Sequence, residues 1–231
     1  MGNKTEFYIL DGYGYIFRAY YGMASSRQGR GLSTKDGFPT GALYVYAQML
    51  LRLYEGVNPK HIAVAFDHKG KTFRHDLFPE YKANRSAPPD DLVKQFPHFK
   101  TITESLGWPV VSAKGFEADD VIATIAKQAC EKNFHVTLFS GDKDLMALVS
   151  EDLDMIDPMR KITYDPKTVE AKFGVPPQLV ADYLALVGDT SDNIPGMPGV
   201  GKKTAAKLLN EHGSLSGVLS HVDTMLSLIH I

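Results

Sequence analysis

The chain has 231 residues, 44% of them apolar, enough for one full core or one core with a small appendage. A formal net charge of −2 excludes a simple basic nucleic-acid-binding module, and without an early apolar run or a signal-peptide core the chain reads as soluble and cytoplasmic, with no membrane partner. The single cysteine, Cys130, excludes an intrachain disulfide and suits a reducing compartment.

In chain order, strands are expected near 6–10, 61–66, 109–112, 135–140 and 153–156, alternating with helices near 40–55, 91–106, 117–131 and 144–149. Leu43, Ala47, Leu50, Leu51 and Tyr54 recur at helical spacing in the first of these helices. Val121, Ile122, Ile125, Ala126 and Ala129 line one face of the third. Such βα alternation predicts a mostly parallel sheet covered by helices. Residues 68–90 break the rhythm: they are basic and aromatic, too polar for a core, and are expected to form a long irregular connection. After residue 165 the chain turns helical, with Pro176-Pro177 opening one helix, a turn over 195–201 and another helix from Lys202 to Leu209.

The acids are the most informative feature. Asp11 ends the first apolar strand, Asp67 the second, and Asp142 and Asp144 follow the fourth. Glu117, Asp119 and Asp120 open a helix, and Asp189 and Asp192 follow a later one. Each has an ordinary reading. Carboxylates at a helix N-terminus are favoured by the macrodipole, and Asp is common in turns and caps. Asp189 is the exception, because the dipole disfavours an acid at the C-terminal end of a helix that stops near Val187. Taken together the acids share one edge, since parallel strands end on the same side of a sheet. That much like charge in one place calls for hard divalent cations, which commonly serve phosphate chemistry.

Two further constellations follow. In Pro198-Gly199-Val200-Gly201-Lys202-Lys203-Thr204-Ala205, Gly199 and Gly201 flank one apolar residue between two helices. Backbone N–H groups at such a helix start face phosphates, and Lys202 and Lys203 add charge. An ordinary helical hairpin is the plain alternative, and Walker-loop spacing is absent because Lys203 separates Gly201-Lys202 from Thr204. Within 68–90, Lys69, Lys71, Arg74, Lys82 and Arg85 mix with Phe73, Phe78 and Tyr81, a combination that suits single-stranded nucleic acid or, equally, a solvated loop. Arg18 lies near the acidic edge if the chain turns helical after Asp11, as a counter-charge or a phosphate clamp.

At these residues the sequence resembles the 5′ nuclease domain of bacterial DNA polymerase I, in the flap endonuclease superfamily. The matching stretches are Leu10-Asp11-Gly12 with Arg18; Phe66-Asp67 through Lys71-Thr72-Phe73-Arg74; Pro79-Glu80-Tyr81-Lys82 with Arg85; Glu117-Ala118-Asp119-Asp120; Gly141-Asp142-Lys143-Asp144; Gly188-Asp189 through Asp192 to Gly196; and the glycine hairpin. The resemblance implies a PIN-like, resolvase-like α/β domain over 1–164 and a helix-hairpin-helix region over 165–220. It implies two Mg2+ or Mn2+ positions, the first at Asp11, Asp67, Glu117 and Asp119 with Asp120 acting directly or through water, the second at Asp142, Asp144, Asp189 and Asp192. Lys82, Arg85 and Arg18 match residues that hold the scissile phosphate. Residues 68–90, with Lys71, Arg74 and Tyr81, match the helical arch that a single-stranded 5′ end passes through. Gly199, Gly201, Lys202, Lys203 and Thr204 match the duplex grip, where a K+ ion is held by carbonyls.

The implied activity is hydrolysis of phosphodiester bonds in 5′-flap or nicked DNA during replication and repair, by a monomer attached in a longer chain to a polymerase portion. A related metal-dependent ribonuclease and an inert DNA-structure binder stay open as alternatives. Gly12-Tyr13-Gly14 departs from the small hydroxyl residues frequent in relatives, and residues 221–231 are expected to be an unmatched tail of a truncated chain.

Overall fold

The structure is a computed structural model and describes residues 4–25 and 31–221, so all but the first residue of the expected tail lies outside it. Strand β1 (Thr5–Asp11) lies inside a six-stranded sheet in which β2 (Ile62–Ala65) and β3 (Val110–Val111) extend one side. On the other side follow β4 (Phe134–Phe139), β5 (Leu153–Asp157) and β6 (Ile162–Tyr164). All neighbours are parallel except β5 and β6, which form an antiparallel edge hairpin. The chain order reverses between β1 and β4, and the carboxyl ends flanking such a reversal open a crevice.

Both faces are covered, so adjacent residues of β1 enter different cores. Ile9 packs with Val136, Leu138 and Met155 beneath α6 (Ala118–Glu131) and the C-terminal helices. Leu10 packs with Ile62, Val64 and Phe139 beneath α1 (Gly12–Ser25), α2 (Gly41–Val57) and α5 (Phe96–Ser105). This double burial explains why the strands read as unbroken apolar runs.

Five sequence expectations need revision. Residues 12–25 form α1, which the aromatic-rich stretch did not announce; Tyr15, Ile16 and Ala19 supply its buried stripe. The helix expected over 91–106 is two, α4 (Asp90–Val93) and α5, with Pro97 at the start of the second. Most consequentially, 68–90 is neither irregular throughout nor wholly surface. It contains α3 (Phe73–Leu77), and both Thr72 and Tyr81 are buried. The short β6 was missed, and 144–148 is a 3₁₀ turn.

The C-terminal region follows its local signals. Asp165 caps α7 (Pro166–Phe173) by accepting from Thr168 N at 2.8 Å, and left-handed Gly174 ends it. Helix α8 (Val180–Val187) and α9 (Lys202–His212) form the hairpin, followed by α10 (Leu215–Ser220). The loop between α8 and α9 begins with Gly188 at φ 82°. There Gly196 approaches so closely that a Cβ on it would lie 2.2 Å from the Val187 carbonyl oxygen and 2.8 Å from Gly188 N.

That close backbone approach shuts the loop carrying Asp189 and Asp192. Gly196→Ala should cost roughly 2 kcal/mol or more, because backbone and not a flexible side chain must give way. Urea unfolding tests this, and an unchanged midpoint would show that the loop closes without the two glycine backbones touching.

Candidate metal centre

Asp11 is the hub. It closes β1 at the reversal point, and its buried carboxylate accepts from Gly14 N at 2.9 Å and from Ser140 Oγ at 2.9 Å. The second bond ties the ends of β1 and β4 together. A Cβ at Gly14 would sit 2.4 Å from Asp11 Oδ2, so glycine at this position leaves the carboxylate its place. Burial pushes the Asp11 pKa up, and the charges of Asp142 and Asp67 push the same way, against its two hydrogen bonds.

The other acids of the first group gather around the start of α6. Asp67 Oδ1 accepts from Ala118 N at 2.7 Å, joining the end of β2 to that helix. Glu117 is the buried N-cap residue, and Asp120 Oδ2 accepts from Glu117 N at 3.0 Å. Asp119 is pushed up to about 8, mainly by burial, then by Asp142 and Asp11. Asp120 differs: Arg74 grips it through two bonds of 2.7 and 2.8 Å and holds its pKa low.

The second group closes on itself. Carboxylate oxygens of Asp144, Asp189 and Asp192 all lie within 4.8 Å of one another. Asp144 Oδ1 is buried with no hydrogen-bond partner among the described residues, and this acid is pushed up to about 7 by burial, then by Asp142 and Asp189. An acid with an orphaned carboxylate oxygen, clustered with the buried Asp189 and Asp192, fits a hard divalent cation, which takes oxygen ligands. Asp142 stands at the rim, where its Oδ1 accepts from Asp144 N at 3.0 Å.

Protein cations already offset much of this charge, which the sequence pattern alone assigns mainly to divalent ions. Lys82 Nζ lies 2.9 Å from Glu117 and 3.7 Å from Asp192, and Arg85 Nη2 lies 2.5 Å from Asp192. Lys143 pairs with Asp189 at 3.1 Å. Burial raises the Asp189 pKa, but the Lys143 ammonium and the Ser191 N–H together hold it below the usual range. The helix end that disfavours Asp189 is therefore answered locally. Tyr81, expected to face nucleic acid, instead donates its buried hydroxyl to Glu117 and Asp192, both at 2.9 Å.

Asp11, Asp142, Asp144, Asp189 and Asp192 line an open cleft of about 1190 Å³ together with Arg18, Arg85, Lys143 and Lys202. Asp67, Glu117 and Asp119 are not among its lining residues. Arg18 donates to the Pro158 carbonyl at 2.6 Å, which fixes α1 to the β5–β6 hairpin. Lys71 is exposed. At the hairpin Gly199 takes φ 79°, Gly201 is the N-cap of α9, and Lys202, Lys203 and Thr204 are exposed at its first turn. Sequence reasoning missed Ser140 and Lys143 as site residues, although both flank the Asp142 motif.

A parallel α/β sheet with acids at its carboxyl edge, continued by a helical hairpin, defines the class of resolvase-like nuclease folds. The family model of the 5′-3′ exonuclease N-terminal resolvase-like domain matches residues 6–174, and that of the 5′-3′ exonuclease C-terminal SAM fold matches 175–229. This chain belongs to the 5′-3′ exonuclease family. The 5′-3′ exonuclease of Aquifex aeolicus is 42% identical over 214 residues, 93% of this chain and 72% of that protein. DNA polymerase I of Rhizobium leguminosarum is 44% identical over 227 residues, 95% of this chain but 22% of that longer protein. A T5 protein co-crystallised with metal ions is 25% identical at TM-score 0.74, covering 93% of this chain and 78% of its own. A T5 flap endonuclease complex with DNA and metal ions shares the fold at TM-score 0.73 and 23% identity, over 97% of this chain and 86% of its own.

The raised acids have a consequence for metal-free protein. A carboxyl whose folded pKa is raised keeps a proton that the unfolded chain releases, so its stabilising contribution is full below about pH 4 and lost above its folded pKa. For Asp144 and Asp119 the loss extends through about 7 and about 8. In chelator the melting temperature should fall between pH 5 and 8, and divalent ions should restore it most at pH 8. A melting temperature in chelator that rises over this range contradicts the site electrostatics.

Proposed function

We propose that this chain is a structure-selective 5′ nuclease that hydrolyses phosphodiester bonds in 5′-flap or nicked DNA, working as a cytoplasmic monomer in replication and repair. The observation that carries this reading is that Asp11, Asp142, Asp144, Asp189 and Asp192 line the same cleft as Arg18, Arg85 and Lys202. The T5 complex with DNA and metal ions, which has this fold, supports it.

Asp11, Asp67, Glu117 and Asp119 would hold one divalent ion, Mg2+ or Mn2+, with Asp120 supporting Glu117 through its backbone; Asp142, Asp144, Asp189 and Asp192 would hold a second. Bound ions of this kind lower the pKa of coordinated water and offset charge on the attacking and leaving oxygens. The chain's own groups do the rest. Ser140 and Gly14 orient Asp11. Tyr81 orients Glu117 and Asp192. Lys82, Arg85 and Arg18 place positive charge where the scissile phosphate gains negative charge. Lys71 and Arg74 border the single-stranded path, although Arg74 also neutralises Asp120.

At the hairpin, the exposed N-terminus of α9 with Lys202, Lys203 and Thr204 would meet the duplex backbone, and carbonyls around Gly199 and Gly201 would hold K+. A longer relative is a DNA polymerase I, of which this chain covers 22%, so in a longer chain this region would lead toward a polymerase portion.

Incubation with a 5′-flap duplex should give metal-dependent cleavage near the branch, abolished by chelator. Asp67→Asn should abolish it too, and is preferable to Asp67→Ala because Asn can still accept from Ala118 N. Cleavage of RNA alone, or wild-type rates from Asp67→Asn, would overturn the assignment.

Lys82→Ala should slow cleavage more than it weakens duplex binding. Lys202→Ala and Lys203→Ala should do the reverse and lower the salt slope by about one for each phosphate no longer neutralised. Identical kinetic profiles for the two groups would show that cleft and hairpin do not divide the work.

A further inference from the structure

The segment 80–85 lies fastened over the loop that carries Asp189 and Asp192. Lys82 N donates to the Asp192 carbonyl at 3.0 Å, Asn84 Nδ2 to the Thr190 carbonyl at 2.7 Å, and Arg85 Nε to the Ser191 carbonyl at 3.3 Å. From the other side, Asn193 Nδ2 donates to the Glu80 carbonyl at 2.8 Å. Side-chain charges complete the closure through Lys82, Arg85 and the Tyr81 hydroxyl on Glu117 and Asp192.

This closure is strained. Lys82 takes φ 58° and Asn193 takes φ 58°, in the left-handed region. Asn tolerates that region, whereas a lysine there is uncommon and needs its surroundings to hold it. What holds Lys82 is Asp192 through its backbone and Glu117 through its ammonium. The same Asp192 carboxylate contributes to the acid triad with Asp144 and Asp189. Lys82 and Arg85 therefore share the Asp192 carboxylate with any cation held among those acids.

We propose that 80–85 is a latch, closed by Asp192 in the metal-free protein and released when a divalent ion takes over that carboxylate, which hands Lys82 and Arg85 to the substrate phosphate. The proposal rests on the metal reading of Asp192. Its logic is competition: one carboxylate cannot give its full charge to an ammonium, a guanidinium and a divalent ion at once. Strain at Lys82 favours opening once its anchors weaken. Linkage then requires that anything loosening the latch tighten metal binding by the same factor. The protein's own cations hold the acids together until metal arrives, and those cations become available for catalysis only then.

Hydrogen exchange of the peptide spanning 78–88 tests this, measured in chelator and in saturating Mn2+, alongside a Mn2+ binding isotherm. The amides of Tyr81, Lys82, Ala83 and Arg85 are hydrogen-bonded in the closed latch. Their exchange should speed by about tenfold or more when Mn2+ binds. Asn84→Ala combined with Asn193→Gly removes two latch bonds but no carboxylate or cation, and glycine keeps the left-handed backbone. That variant should exchange fast already in chelator and bind Mn2+ several-fold more tightly. A thermal melt confirms that it folds.

If Mn2+ binds and exchange is unchanged or slowed, the latch is refuted while the metal site stands. Unaltered Mn2+ affinity in the double variant, with its exchange fast in chelator, refutes the competition. A flat isotherm for wild type overturns the metal reading of Asp192 itself.

Discussion

The structure depends on the management of like charge at one edge of a parallel sheet. Parallel strands bring their carboxyl ends together, and in this chain those ends and the helix starts beside them carry acids. Burial of Asp11, Glu117, Asp189 and Asp192 raises the cost, because charge in a poorly solvated place must be paired or neutralised. The chain responds in two ways. Arg74, Lys82, Arg85 and Lys143 each face a named acid. Asp119 and Asp144, half-buried beside other acids, have raised pKa values instead, and Asp144 keeps an oxygen unpartnered among the described residues. These are the positions where an external cation brings the largest gain.

The fold supports this edge from both sides. Two separate cores anchor β1, so Asp11 is carried on a strand that cannot shift without disturbing both. The α8–α9 loop is closed by glycines whose backbones touch, which fixes Asp189 and Asp192 beside Asp144. A site built in this way is rigid at its acids and adjustable at its cations. Of the four paired cations, Arg74, Lys82 and Arg85 come from the 68–90 segment, and Arg85 and Arg74 keep substantial exposure.

Much of this was legible in the sequence, and the reasons are physical. Strands buried on both faces give continuous apolar runs, which is why β1, β2, β4 and β5 stood out, and acids following such runs mark the ligand edge. What was not legible depended on partners distant in sequence. Helix α1 is rich in aromatics and glycine, so propensity did not favour it, and packing beneath Leu10 and Phe66 decides it. Tyr81 looked like a base-stacking residue because it sits among cations, yet its partners are 36 and 111 positions away. Arg74 looked free for phosphate for the same reason, and Asp120 claims it from 46 positions away. The polar composition of 68–90 is suited to water or to a nucleic acid, but it equally suits an acidic edge.

The central claim is that this edge holds two divalent ions, one on each group of acids. A Mn2+ titration followed by electron paramagnetic resonance reads it directly, since bound and free Mn2+ differ in signal. The account predicts saturation at about two ions per chain, with Asp11→Asn and Asp144→Asn each removing a different one. Saturation at wild-type stoichiometry and affinity in both variants would contradict it.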